Sequence, residues 1–251
     1  MNNIGIGIFC FGEEKYFRGT IEKLNQFLSN GFHCYVLTDN PNYFKNRYTD
    51  TFFHTIPYKR KYKSYHDKII LSSHIIDNHD IAILIDADTN IVTPSFINQL
   101  KTYTFKKGIS YIDTLLNHSA KYGFIKDLKM NDLEWESYKK YINFVYPNYG
   151  EHEMIWEYFL VINKDGLNEN FFNHYEKLQL AKEHSDLLRN KEVNGAGEGI
   201  SITIASILSN TNIERDVELY DLLKDSVKPI TRHTPRNLWP KFMLWLATKN
   251  L

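Results

Sequence analysis

Short apolar runs and longer segments with helical spacing alternate along the first 90 residues of the chain. Apolar runs rich in β-branched residues predict buried strands over residues 4–11, 32–37, 51–56 and 81–85. Apolar residues spaced three and four apart predict helices over residues 13–29 and 66–79. This alternation is typical of an open, mixed α/β sheet of the Rossmann-like kind, in which ligands bind at the carboxyl ends of the strands.

The pattern is less regular beyond residue 95. Strands are predicted over residues 108–112 and 157–163, and helices over 171–189 and 200–209, with a glycine-rich turn over 194–199. Residues 113–150 are polar and aromatic and show no clear period. Because no repeat or linker divides the chain, we expect one domain over 1–251. It would have a nucleotide-binding half (1–95), a less regular half (96–235) and a tail (236–251).

Composition excludes two classes of protein. Lys and Arg together number 30, as do Asp and Glu, so the formal net charge is zero in a chain that is 43% hydrophobic. A globally basic nucleic-acid binder and a disordered acidic chain are therefore both disfavoured. The chain has 17 Tyr, 16 Phe and 4 Trp. Such rings fill cores but also make platforms for flat ligands, and composition does not separate the two uses.

The cysteines and the chain ends bear on location. Cys10 and Cys34 lie in apolar runs, which predicts buried thiols in a reducing compartment, with a disulfide as the alternative. The first residues lack the basic and apolar regions of a signal peptide, so a cytoplasmic location is expected. The tail mixes basic and aromatic residues. It is interpreted either as a helix packed on the domain or as a peripheral contact with the inner face of the membrane.

The sharpest chemical feature is the sequence Asp86-Ala87-Asp88 after the predicted strand 81–85. In an extended segment, residues two apart point to the same side, so the two carboxylates would lie together and repel each other. A hard divalent cation, Mn²⁺ or Mg²⁺, removes that repulsion and leaves coordination positions for water and phosphate oxygens. The alternative is a pair of acids at a strand end, one of which caps a helix. Thr93 offers a cap of its own, which weakens that alternative.

Three further features could carry chemistry. Glu198 lies among closely spaced glycines, where the backbone can approach a ligand and a helix dipole keeps the carboxylate ionised; a plain helix-terminal glutamate is the alternative. The basic segments 59–63 and 232–236 could attract or bind a diphosphate, or could simply be solvated. His233 could be a metal ligand or a structural histidine.

The chain opens strand–helix–strand and has Asp86-Ala87-Asp88 directly after a buried strand. In both respects it resembles glycosyltransferases of the GT-A fold. More narrowly, the segments FHCYVLTDNP (32–41) and IAILIDADTNI (81–91) are similar to family 6, the blood-group-type α-galactosyl and N-acetylgalactosaminyl transferases and their bacterial relatives. The resemblance implies metal-dependent transfer of a sugar from a nucleotide diphosphate, a UDP-sugar, to a hydroxyl of a glycan acceptor. Where the family has an arginine before the motif, this chain has Asp67 or Lys68, depending on the alignment.

The resemblance also implies roles for individual residues. The metal would be held by Asp86, Asp88 and His233. The nucleotide-sugar donor would be contacted by Phe11, Asp39, Tyr65, Lys68, Asp86 and Arg232. The acceptor sugar would lie against Trp156 and Glu157, although a core tryptophan and a turn-forming Asp39 are the plainer interpretations.

Glu198 takes the place of the acid that faces the acceptor hydroxyl. In an inverting enzyme it would be the general base, and in a retaining one a nucleophile or charge stabiliser.

Two other functions fit parts of the sequence. An aspartate-nucleophile phosphatase also has Asp-x-Asp after a buried strand, but it usually has Thr or Val at the position of Asn90. A non-catalytic glycan-binding module is the second alternative. Other histidines show no metal-ligand spacing and are interpreted as structural: His54, His66, His74, His79, His118, His174 and His184.

Overall fold

A seven-stranded sheet with helices on both faces forms the centre of the molecule. The computed structural model describes residues 2–12, 14–49, 51–59, 67–114, 155–180 and 197–229. The strands are β1 (Ile4–Cys10), β2 (His33–Thr38), β3 (Phe53–Pro57), β4 (Ile81–Asp86), β5 (Thr89–Ile91), β6 (Gly108–Thr114), β7 (Ile155–Asn163), β8 (Ile213–Arg215) and β9 (Val227–Pro229). The helices are α1 (Glu14–Leu28), α2 (Pro41–Lys45), α3 (Lys68–Ile76), α4 (Ile97–Leu100), α5 (Phe171–Leu180), α6 (Gly197–Ser209) and α7 (Val217–Leu223), with a 3₁₀ turn at Pro94–Phe96.

The order of strands in the main sheet is β3-β2-β1-β4-β7-β6-β8, and β5 pairs with β9 in a small second sheet. β1, β2, β3 and β4 are parallel, whereas β7 runs antiparallel to both β4 and β6. The predicted mixed α/β sheet is therefore confirmed. Because β2 and β3 lie on one side of β1 and β4 lies on the other, the winding direction changes between β1 and β4. Such a switch point opens a crevice at the carboxyl ends of the two strands.

Both faces of the sheet are buried, as its nearly continuous apolar strands require. On one face, Leu84 of β4 belongs to a core cluster with residues of α3, α5 and α6. On the other face, Ile85 belongs to a cluster with residues of α1, α2, α4 and α7. The helical spacing of apolar residues in α1 reflects this packing, because Phe17, Leu24 and Phe27 are among its buried residues.

The structure corrects several sequence-based boundaries. Residues 197–199 belong to the first turn of α6 rather than to a glycine-rich turn before it. The helix predicted to begin at residue 66 begins at Lys68 and ends at Ile76. The helix predicted over 171–189 is described only as far as Leu180. The sequence did not predict six short elements, α2, β5, α4, β8, α7 and β9. They span three to seven residues each, too few to show a period.

Both predicted thiols are confirmed as buried, and Cys10 and Cys34 form no disulfide. Burial raises the pKa of Cys10 to about 12, which keeps this thiol protonated and inert. Within the described residues, the helices are too short or too polar to cross a bilayer. The tail 236–251 lies outside the described residues.

Candidate active site

The switch point brings the ends of β1 and β4 side by side. Phe9 of β1 is the sheet neighbour of Asp86, the last residue of β4. Phe11 and Gly12 follow β1 directly, and Gly12 has a φ of +85°, a conformation that glycine adopts without strain. The three residues Asp86, Ala87 and Asp88, which we call the acidic turn, therefore emerge beside the end of β1.

The acidic turn does not continue the strand. Asp88 lies in a turn, so the prediction that Asp86 and Asp88 belong to one extended segment is wrong. The reason is tertiary, since Thr89 begins β5, which leaves the main sheet to pair with β9. Likewise, Thr93 precedes the 3₁₀ turn without making a side-chain cap hydrogen bond.

Lys68 links the acidic turn to the neighbouring strand β7. Its Nζ atom donates to Oδ1 of Asp86 at 2.5 Å and to the carbonyl oxygen of Glu157 at 3.0 Å. The Lys68 side chain is 3% exposed and that of Asp86 is 30% exposed, so the pair is shielded from most solvent. Of the two residues that could replace the family's arginine, Lys68 is the basic one, and it contacts the motif directly.

Lys23 of α1 approaches the acidic turn from the opposite face of the sheet. This lysine is only 2% exposed, and its Nζ donates to the carbonyl oxygens of Ala87 at 2.8 Å and Thr89 at 2.7 Å. Burial lowers the pKa of Lys23 to about 8, although the charges of Asp88 and Asp86 oppose that change. Sequence reasoning missed Lys23, and its only signal was a lysine on the buried side of an amphipathic helix.

Aromatic side chains lie at and just beyond the carboxyl end of β1. Phe11 stacks on Phe9, with ring centroids 4.5 Å apart, and meets Tyr58 edge-on at 6.5 Å. The Tyr58 hydroxyl donates to Oδ1 of the buried Asp67 at 3.0 Å, which joins this aromatic wall to the residue before Lys68. Asp39 is exposed and follows β2, so it lies at the same edge of the sheet as Phe11.

β7 and α6 complete this edge. Because Ile85 pairs with Phe159 in an antiparallel register and β4 ends at Asp86, residues 155–157 extend beyond the end of β4. Glu157 is 8% exposed, and the side chain of Trp156 lies outside the described residues. A Cβ atom on Gly199 would overlap the carbonyl oxygen of Ile155.

That close contact places the start of α6, and with it the backbone of Glu198, beside the start of β7. The side chain of Glu198 lies outside the described residues. Three further predicted site residues lie outside them entirely: Tyr65, Arg232 and His233.

The acidic turn has the donor chemistry for a hard divalent cation. Lys68 occupies one oxygen of Asp86, and the other oxygen and the Asp88 carboxylate are the hard ligands that Mg²⁺ or Mn²⁺ take. No cluster of three or more His, Cys, Asp or Glu suited to a metal ion occurs within the described ranges. Two carboxylates are only part of the ligand set of either ion, so a bound ion would take its other ligands from water, a bound molecule or residues beyond these ranges.

No protein-family model and no curated protein matches the sequence. The structure is similar to that of the galactosyltransferase LgtC in complex with donor and acceptor sugar analogues. The TM-score is 0.50 at 11% identity, over 84% of this chain and 72% of that one.

Two weaker similarities were also found. A glycosyltransferase involved in glycosylation of the major capsid of PBCV-1 gives a TM-score of 0.44 at 11% identity, over 91% of this chain and 93% of that one. The mannosyltransferase PcManGT from Pyrobaculum calidifontis, in complex with GDP-Man and Mn²⁺, gives 0.45 at 10% identity, over 86% and 56%. The resemblance to family 6 stays a prediction. The similarity to LgtC, together with the strand order, shows that this chain has the GT-A type of fold.

Proposed function

We propose that the chain is a metal-dependent glycosyltransferase that moves a sugar from a UDP-sugar to a hydroxyl group of a glycan acceptor. The proposal rests on the acidic turn, which lies at the switch point of a GT-A-type sheet and whose Asp86 is paired with Lys68. Ligands of such sheets bind at this crevice, and a nucleoside diphosphate needs a countercharge there.

Asp86 and Asp88 would hold Mn²⁺ or Mg²⁺. The bound metal would neutralise the charge that develops on the departing diphosphate. Lys68 binds Oδ1 of Asp86 and so orients the carboxylate, which leaves its second oxygen for the cation. In this proposal His233 is a further ligand, and Arg232 pairs with diphosphate oxygens.

The nucleoside would bind at the β1 and β2 side of the crevice. The half-buried Phe11 ring is held by Phe9 and Tyr58, so it is a preformed apolar surface for a base. Asp39 is exposed at the next strand end and can accept hydrogen bonds from ribose hydroxyls. Tyr65 is the second candidate for stacking on the base.

The acceptor would bind on the opposite side, near the starts of β7 and α6. Trp156 would pack on the apolar face of the sugar, and Glu157 would accept hydrogen bonds from its hydroxyls. Glu198 would take the proton of the acceptor hydroxyl in an inverting reaction, or would stabilise the anomeric centre in a retaining one.

Ligand-induced thermal stabilisation tests the proposal. UDP with Mn²⁺ should raise the Tm of the protein, and Asp88→Ala should abolish that increase because it removes a ligand of the cation. Asp165→Ala is the matched control, since Asp165 is exposed and pairs with Lys107 at 3.0 Å near the other end of the sheet. An unchanged Tm of the unaltered protein with UDP and Mn²⁺ would argue against the proposal.

Release of free nucleotide from a panel of nucleotide sugars, with Mn²⁺, would then identify the donor. Glu198→Gln should abolish transfer and leave UDP binding intact. Two other results would point to the alternatives. Mg²⁺-dependent hydrolysis of an aryl phosphate that is lost in Asp86→Asn would indicate a phosphatase. Glycan binding without metal and without transfer would indicate a binding module.

A further inference from the structure

Helix α1 contacts the acidic turn through two residues one helical turn apart. Lys23 donates to the carbonyl oxygens of Ala87 and Thr89, at 2.8 and 2.7 Å. A Cβ atom on Gly19 would lie 3.1 Å from the same Ala87 oxygen and 3.6 Å from Nζ of Lys23. The absence of a side chain at Gly19 thus lets the helix backbone lie close against the turn.

The two carbonyl groups that Lys23 binds stand on either side of Asp88. Holding both with one ammonium group restrains the backbone dihedral angles between them, and these angles set the direction of the Asp88 side chain. If Asp86 and Asp88 share one cation, their carboxylates lie close together, and a turn without this restraint would relax by moving them apart once the cation leaves.

Beyond the turn, a cavity of about 260 Å³ lies between α1 and the segment 89–92. Lys23 and Thr89 are both part of its lining, so the hydrogen bonds of Lys23 join α1 to the end of the turn at the border of this cavity. Burying an ammonium group is costly unless its hydrogen bonds are satisfied, so a lysine at this position is a specific feature of the site.

We propose that Lys23 is a positioning residue that holds the acidic turn in the shape that binds the divalent cation. This inference rests on the proposed function, because it assigns Lys23 a role toward the metal of that same site. Residues that orient metal ligands without touching the metal change affinity by about tenfold to a hundredfold when they are replaced.

The test is the affinity of the full chain for Mn²⁺ in the presence of UDP, measured from the electron paramagnetic resonance signal of free Mn²⁺. Lys23→Met keeps the length of the side chain and removes its donors, and we expect its Kd for Mn²⁺ to rise about tenfold. Lys164→Met is the matched control. Lys164 donates to the carbonyl oxygen of Ile76 at 3.4 Å, close to the amino end of β4, so its loss should leave the Kd unchanged.

Each outcome decides between the two proposals. An unchanged Kd in a folded Lys23→Met variant would overturn the inference alone, because Lys23 would then serve only stability. Tighter Mn²⁺ binding would also overturn it, since the ammonium would then act as a competitor of the cation. Failure of the unaltered protein to bind Mn²⁺ with UDP would overturn the proposed function and the inference with it. If Lys23→Met does not fold, Lys23→Gln is measured in its place against the same expectation, because its amide nitrogen lies one bond closer to the backbone and should not reach both carbonyl groups.

Discussion

The ammonium group of Lys68 lies 2.5 Å from Oδ1 of Asp86. Lys68 is the first residue of α3 and Asp86 is the last residue of β4, so the pair joins two element ends that are 18 residues apart. A second hydrogen bond from the same ammonium, to the carbonyl of Glu157, adds β7 to this connection. The pair therefore orients a predicted metal ligand and stabilises the edge of the sheet.

Lys68→Met should lower the free energy of unfolding by about 2 kcal/mol, because it leaves Asp86 largely shielded without its cation. Lys68→Met in an Asp86→Asn background should cost less than in the unaltered protein, since the stranded charge is already gone. Urea unfolding of the four proteins gives the coupling energy. Lys107→Met, which breaks an exposed pair with Asp165, is the control and should change stability by less than about 0.5 kcal/mol. Additive effects of the Lys68 and Asp86 substitutions would contradict the assignment.

Three histidines cluster at the amino end of the sheet, far along the strands from the acidic turn. The His33 ring lies 5.9 Å from His54 and 4.9 Å from His79, and the Tyr35 hydroxyl lies 2.9 Å from Nε2 of His79. Nδ1 of His79 lies 2.7 Å from Oδ1 of Asn3. Burial, followed by the proximity of His33, lowers the pKa of both His54 and His79 below 6.5. The structural role predicted for His54 and His79 agrees with this arrangement.

This cluster should make stability depend on pH in the acidic range. The folded state disfavours the charged rings, so the unfolded chain binds more protons below pH 6.5. Stability from the cluster is complete above pH 6.5 and declines as the pH falls from there toward the lowered folded-state pKa values. The urea midpoint at pH 7.5 and pH 5.5 measures this decline. His54→Phe, which keeps a stacking ring, should reduce the decline, whereas the exposed His74→Gln should not; equal declines in both variants would contradict the prediction.

Gly199→Ala should destabilise the protein by about 1–3 kcal/mol, although alanine normally favours helices. The added methyl group would overlap the carbonyl oxygen of Ile155, so α6 would have to move away from β7. Thermal unfolding measures the loss of stability. Leu208→Ala in the same helix, at a side chain that is 40% exposed, is the control and should change stability much less. A variant as stable as the unaltered protein would show that this contact is looser than the structure indicates.

Asp216→Ala should lower the free energy of unfolding by about 2 kcal/mol, because two hydrogen bonds are lost from a fully buried site. Asp216 caps α7 by accepting from the backbone amide of Leu219 at 3.0 Å, and it also accepts from the Tyr103 hydroxyl at 2.7 Å. Asp216→Asn keeps an oxygen for these bonds and should cost less. Glu218→Ala, on the exposed side of the same helix turn, is the control for urea unfolding. Equal losses from the alanine and asparagine substitutions of Asp216 would contradict the capping role.

Much of the first half of the fold is readable from the chain alone. Strands β1, β2 and β4 and helix α1 were predicted within a residue or two, because their apolar residues follow the period of a buried strand or an amphipathic helix. Asp86 and Asp88 were identified for the same reason, since a polar pair directly after a buried strand interrupts a clear pattern. The short elements β5 and β9 were missed because each depends on pairing with a segment more than 130 residues away.

Local order in this protein follows from the sequence, because periodicity and side-chain chemistry act over a few neighbouring residues. The strands of the core, the residues Phe11, Asp39 and Asp86 at or after strand ends, and the acidic character of the motif all follow from such local patterns. The lysines that bind the motif do not follow from local patterns, since Lys68 and Lys23 come from different helices on opposite faces of the sheet. Their ammonium groups meet the acidic turn only because packing brings α1, α3 and β4 together, and a linear pattern carries no record of which buried lysine will face which carbonyl or carboxylate.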